Sequence, residues 1–125
     1  MSPEQLNPLS PREQYVLFVK TVARQGEIWG LYDEDREGWA MTHDGERERL
    51  PLWPNVQLAE AQRREQWLNC TPLPMEVELF IRETTDELID TGRGLSILYN
   101  ETEGGLDIEP TQLRQDLMLL LTSTP

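Results

Sequence analysis

The spacing of apolar and polar positions sets a helical period early in the chain. Tyr15, Phe18, Val19 and Val22 fall at i, i+3, i+4 and i+7 and so share one face. Ser10-Pro11-Arg12-Glu13 precedes that stripe as a capping box: a serine to accept a free backbone N–H, a proline at the first helical position, and a glutamate three residues on. A helix is predicted from Pro11 to about Gln25. Gly26 supplies the left-handed residue that ends it. Residues 1–9, with Pro3 and Pro8 and no apolar period, read as a flexible leader.

The period then drops from 3.6 to 2. Glu27-Ile28-Trp29-Gly30-Leu31-Tyr32, Gly38-Trp39-Ala40-Met41 and Leu50-Pro51-Leu52-Trp53-Pro54 follow one another across two turns and contain three of the four tryptophans. Aromatic residues at alternating positions between Gly/Asp/Glu clusters predict a small antiparallel meander. Its strands are expected at 27–32, 39–42 and 47–52, with the acidic turn Asp33-Glu34-Asp35-Arg36-Glu37-Gly38 and a tight turn at His43-Asp44-Gly45-Glu46. Pro51 cannot donate to a ladder, which places the end of the third strand at an edge.

Beyond Pro54, residues 56–67 have a helix-forming composition, with Val56, Ala59, Arg63 and Trp67 sharing a thin stripe. The segment 69–74 breaks it, and a third helix is predicted from Pro74 to Asp90, with Val77, Phe80, Ile81, Thr84 and Leu88 inward. Leu95 to Tyr99 is apolar enough for a central strand, a short strand follows at 106–108, and Glu109-Pro110-Thr111 opens a last helix striped by Leu113, Leu117, Leu120 and Leu121. The expected fold is α+β: a single domain over residues 10–122, an antiparallel sheet of four to five strands packed by helices on one face. The element order is α-β-β-β-α-α-β-β-α.

Composition narrows the function classes. A chain of 125 residues suits one domain that hides roughly two-thirds of its unfolded surface. Met1 to Leu9 has no secretory pattern and no apolar run approaches the roughly 18 residues of a membrane span, so a cytoplasmic protein is expected. A lone Cys70 can form no internal disulfide, and with His43 it is too small a set for zinc; no metal and no cofactor are expected. The net charge is −12, with twelve acids against eight bases up to residue 75 and eleven against three after it. That sign repels phosphates and anionic lipid, which argues against nucleic-acid and membrane partners and for a basic or neutral protein partner.

The candidate chemistry is sparse, and no catalytic residue is assigned. His43 is the only side chain whose ordinary pKa lies near neutral, but a turn tip rarely collects the convergent groups an acid–base site needs. Cys70 has no Lys or His within three positions to activate it, and reads as a structural thiol. Asp33, Glu34, Asp35 and Glu37 invite a calcium reading, yet the mid-loop glycine and terminal bidentate glutamate of a calcium loop are missing. Gly92, Gly94, Gly104 and Gly105 lack the strand–loop–helix setting of a phosphate cradle. The tryptophans are core residues by default, and any that reach solvent are natural anchors for a protein partner. The partner-binding candidates are therefore Trp29, Trp39 and Trp53 with Asp33, Glu34, Asp35 and Glu37.

These same blocks, Glu27 to Tyr32, Gly38-Trp39-Ala40 and Leu50 to Pro54, occurring in order after the Tyr15 to Val22 helix, carry a resemblance. The chain resembles the small bacterial family catalogued as domain of unknown function 2750, over most of residues 12–120. The strand with its Pro-Leu-Trp-Pro ending is also faintly similar to the domain of the serine-sensitivity-enhancer proteins. The resemblance implies a small cytoplasmic α+β domain and brings no activity, cofactor or catalytic residue.

Three functions are compatible with this reading. The leading one is a non-enzymatic protein-binding module, inhibitor-like or immunity-like, whose acidity, carried by the helix expected at 74–90 and the loops around Glu101 and Glu103, steers it to a basic or neutral partner. The second is a small hydrolase-type enzyme using carboxylates such as Asp86, Glu87 or Asp107. The third is a self-assembling subunit that pairs through the Pro51 edge or the leucine-rich last helix.

Overall fold

The computed structural model describes residues 1–43, 45 and 47–122. Residues 1–9 carry a short helix, α1 (Pro3–Leu6), and Leu6 packs against the core. The capping box then starts α2 (Pro11–Gln25) where it was expected. The Glu13 N–H donates to Ser10 Oγ at 3.2 Å and the Ser10 N–H donates to Glu13 Oε1 at 3.0 Å. Gly26, at φ 80°, ends the helix in the left-handed region. Phe18, Val19 and Val22 are the buried face of α2.

The expected three-stranded meander is instead divided between two sheets. β1 (Glu27–Asp33) pairs antiparallel with the short β2 (Gly38–Trp39). The chain then breaks at Ala40 and Met41, and β3 (Thr42–His43) pairs antiparallel with β4 (Glu48–Leu52) in a different sheet. Asp44 and Glu46 of the expected tight turn lie outside the described residues. The sheets meet where Trp29 and Trp53 exchange backbone hydrogen bonds of 2.8 and 2.9 Å.

β4 is also not an edge strand. After helix α3 (Val56–Glu60) and a single 3₁₀ turn at Glu65–Trp67, β5 (Thr71–Glu76) runs antiparallel to β1. Next come helices α4 (Val77–Leu79) and α5 (Thr85–Asp90), then β6 (Gly94–Asn100), β7 (Gly104–Ile108) and α6 (Pro110–Thr122). The sheet orders are β2-β1-β5 and β3-β4-β6-β7, and β4 pairs parallel with β6. A fully antiparallel single sheet is thus replaced by two small sheets with one parallel pair; the α+β class and the central place of β6 stand. Pro51 is tolerated inside β4 because N–H groups alternate sides along a strand. Trp53, two residues on, donates toward Trp29, so Pro51 faces the same side, past the end of β3.

The same alternation explains β5, which the sequence reading took for a break leading into a helix at Pro74. Pro72 opposes Leu31 and Pro74 opposes Trp29, two residues of β1 whose backbone bonds go to Ala40 and Trp53 instead. Both prolines therefore sit where the ladder asks for no donor, on an edge strand. The helix starts at Val77, not Pro74. Between α4 and α5 a π-helical stretch, Phe80–Thr84, adds a residue to the turn. It shifts the inward set, so Thr85 rather than Thr84 is fully buried, its hydroxyl donating to the Ile81 carbonyl at 2.8 Å.

The larger core joins α2, α4, α5 and α6 to both sheets through Phe18, Ile28, Leu52, Phe80, Ile97 and Leu113. Tyr15 ties α2 to α6 by donating to Asp116 Oδ2 at 2.5 Å. A smaller core of Leu31, Ala40, Trp53, Ala59, Trp67 and Cys70 lies under α3. Among the described residues no helix is long and apolar enough to cross a membrane.

Candidate functional site

The acidic turn after β1 is built by its own first residue. Asp33 Oδ1 accepts from the Asp35 and Arg36 N–H groups at 3.1 and 3.3 Å, folding the chain back. Glu37 closes the turn at φ 53°, and β2 returns beside β1. This puts Trp39 against Tyr32, ring centroids 5.4 Å apart and planes at 83°, edge to face. Gly30 makes the placement possible: a Cβ there would come within 2.9 Å of the Trp39 ring.

Trp39 forms part of the wall of a cleft of about 710 Å³. The β1–β2 side contributes Tyr32, Asp33, Arg36 and Glu37. Further lining comes from remote parts of the chain: His43 and Glu48 of the β3–β4 pair, Gln66 and Trp67 of the 3₁₀ turn, Glu87 of α5 and Arg93 before β6. Four carboxylates and two guanidiniums thus line it. His43 Nε2 lies 3.4 Å from Glu48 Oε2, and Arg93 Nε donates to Glu48 Oε1 at 3.1 Å. Arg36, exposed, lies 3.7 Å from Asp33.

Cys70 lies at the floor of the cleft, only 3% exposed. Burial first, then the charge of Asp33, push its thiol above the usual range, so it stays protonated and is a poor nucleophile. Trp67 beside it stands edge to face with Trp53 (6.4 Å) and Tyr99 (5.2 Å), which makes the floor stiff and aromatic. Among the described residues no three His, Cys, Asp or Glu side chains are grouped as metal ligands would be.

The structure separates the sequence-derived candidates. Trp39, Asp33 and Glu37 come together in the cleft, and Glu34 and Asp35 are exposed at the tip of the same turn. Trp53 is in the core at 1% exposure, its Nε1 donating to the Tyr99 carbonyl at 2.9 Å. Trp29 is half-buried against the smaller core, at the junction of the sheets. Of the carboxylates named for an enzyme, Glu87 lines the cleft, whereas Asp86 pairs with Arg114 at 2.8 Å and Asp107 with Arg49 at 3.0 Å. His43, expected as a solvated turn residue, lies in β3 with its side chain 65% exposed at the rim of the cleft. Glu48 and Arg93 have no local signature in the sequence, because the parallel β4–β6 pairing brings them together; Tyr32 and Gln66 join the cleft from β1 and from the 3₁₀ turn.

No curated protein matches the chain. Residues 15–117 match the family described as protein of unknown function (DUF2750), and the chain, most of which that match covers, belongs to this family.

Proposed function

We propose that this protein is a non-enzymatic binding module for a basic protein partner, and that it engages a cationic side chain of that partner in the Trp39 cleft. The observation that carries this reading is the placement of the Tyr32–Trp39 aromatic pair inside a wall of carboxylates, Asp33, Glu37, Glu48 and Glu87. A cation held over an indole gains ring attraction as well as charge attraction, roughly 0.5–2 kcal/mol for the ring alone. Arg93 neutralises Glu48 and Arg36 lies beside Asp33, so the excess negative charge belongs to Glu37 and Glu87, which both line the cleft. A partner's lysine or arginine completes that arrangement. The concrete biological version is an inhibitor-like or neutralising role toward a basic protein.

Calorimetric titration with a short arginine- and lysine-rich peptide tests the reading, with the same peptide carrying glutamines as control. Binding is expected for the basic peptide only, weakening as salt rises. Trp39→Ala should reduce affinity about 2- to 30-fold, the ring's share of the attraction. Equal binding of both peptides, or an unaffected Trp39→Ala variant, would refute it.

A further inference from the structure

β6 carries a strained residue in the interior. Leu98 has φ 58°, a left-handed conformation that a bulky side chain rarely adopts. Glu37 and Glu65 are the other non-glycine residues with positive φ among those described, and both are exposed, whereas Leu98 is buried. The bulge shifts the β6–β7 register between Ile97 and Asn100, and the neighbours Ile97 and Leu98 both enter the larger core. Gly105 of β7 leaves room for it: a Cβ there would come within 3.1 Å of the Tyr99 Cα. Strain of this kind persists where the surrounding structure holds it, and it collects at ligand sites.

Tyr99 and Asn100, which follow the bulge, line a hollow of about 380 Å³, within the roughly 300–1,000 Å³ of ligand pockets. Its buried lining is apolar, Trp53 and Leu98, with Leu58 half-buried beside them. α1 and its end contribute Leu6 and Asn7, held in place by Gln14, whose Nε2 donates to the Leu6 and Leu9 carbonyls at 2.9 and 3.3 Å. Asn100 Oδ1 accepts from the Thr102 and Glu103 N–H groups at 3.0 and 2.8 Å. The Asn100 Nδ2, the side-chain amides of Asn7 and Gln62, and the Glu103 carboxylate also line the hollow, and none has a partner among the described residues.

These groups select a ligand. No lysine or arginine lines the hollow and Glu103 is its one carboxylate, so a phosphate is repelled. Amides present donors and acceptors side by side, which matches a ring edge that carries both. Tyr99 and Trp53 supply apolar ring surface. We propose that the hollow between α1, α3 and the end of β6 binds a small planar heterocycle of the nucleobase class, with mixed donors and acceptors and no phosphate.

Titration of the full chain with free adenine, cytosine and uracil, followed by amide and indole NMR, tests this, with the matching nucleoside monophosphates as charged counterparts. At least one base should shift the amides of 98–103 and the Trp53 indole saturably, while the Trp39 indole of the other cleft stays in place. Its monophosphate should bind at least about 10-fold more weakly, because the acidic rim repels it. Gln62→Ala, which loses no internal hydrogen bond, should weaken binding about 2- to 10-fold. Ala61→Trp, at an exposed position on the lining, should abolish it by filling the hollow, with circular dichroism unchanged in both variants. No saturable shift from any base up to millimolar concentration, a monophosphate bound as tightly as its base, or binding indifferent to both variants would overturn the proposal.

Discussion

Gly30 and Trp39 show how one small residue sets the candidate site. The indole lies so close over the β1 backbone that a Cβ at position 30 would meet Cε3 at 2.9 Å and the Met75 methyl at 3.4 Å. Gly30→Ala must therefore push the ring off its place beside Tyr32. Destabilisation of about 1–3 kcal/mol in denaturant unfolding is expected, as for overpacking in general, together with weaker binding of the basic peptide. Unchanged stability and binding would show that the ring has room to spare. At this scale the sequence was partly legible. The acidic turn and Trp39 could be named from their order alone, and Gly30 was visible between Trp29 and Leu31. What Trp53 touches was not, because its burial depends on Trp67 and Tyr99 arriving from elsewhere.

Among the elements, α2, β1 and β6 were readable because their signals are local: a cap, a glycine stop, a period. β5 was not, because Pro72 and Pro74 look like a double break. Their spacing of two is in fact the signal, since it puts both missing donors on one side of a strand and leaves Thr71, Leu73 and Met75 to bond β1. The amides of Leu73 and Met75 should therefore exchange slowly with solvent. Fast exchange at both, as in a loop or the first turn of a helix begun at Pro74, would contradict the strand. The π-helical stretch at Phe80–Thr84 is a similar case: it moved the buried position by one residue, and no composition cue marks such an insertion.

Over the whole molecule, four of the eleven basic side chains are committed to ion pairs between distant parts of the chain. Arg47 grips Glu109 at 2.6 and 2.9 Å, Arg49 grips Asp107 at 3.0 Å, Arg93 holds Glu48 and Arg114 holds Asp86. Exposed pairs of this kind add little stability, about 0–1 kcal/mol each. Their larger effect is to leave the surplus carboxylates as the outward field, which steers cationic partners from a distance. The acidity was legible from composition, and so was the α+β class. The far wall of the cleft was not, because Glu48, Glu87 and Arg93 meet only through the parallel β4–β6 pairing. The direct test of the central claim is to follow the tryptophan indole N–H resonances by NMR while titrating the arginine- and lysine-rich peptide. The Trp39 indole and the backbone amides of 33–38 should shift together and saturate, while the buried Trp53 indole stays in place. Shifts confined to the acidic loop around Glu101 and Glu103, or none at all, would contradict the account.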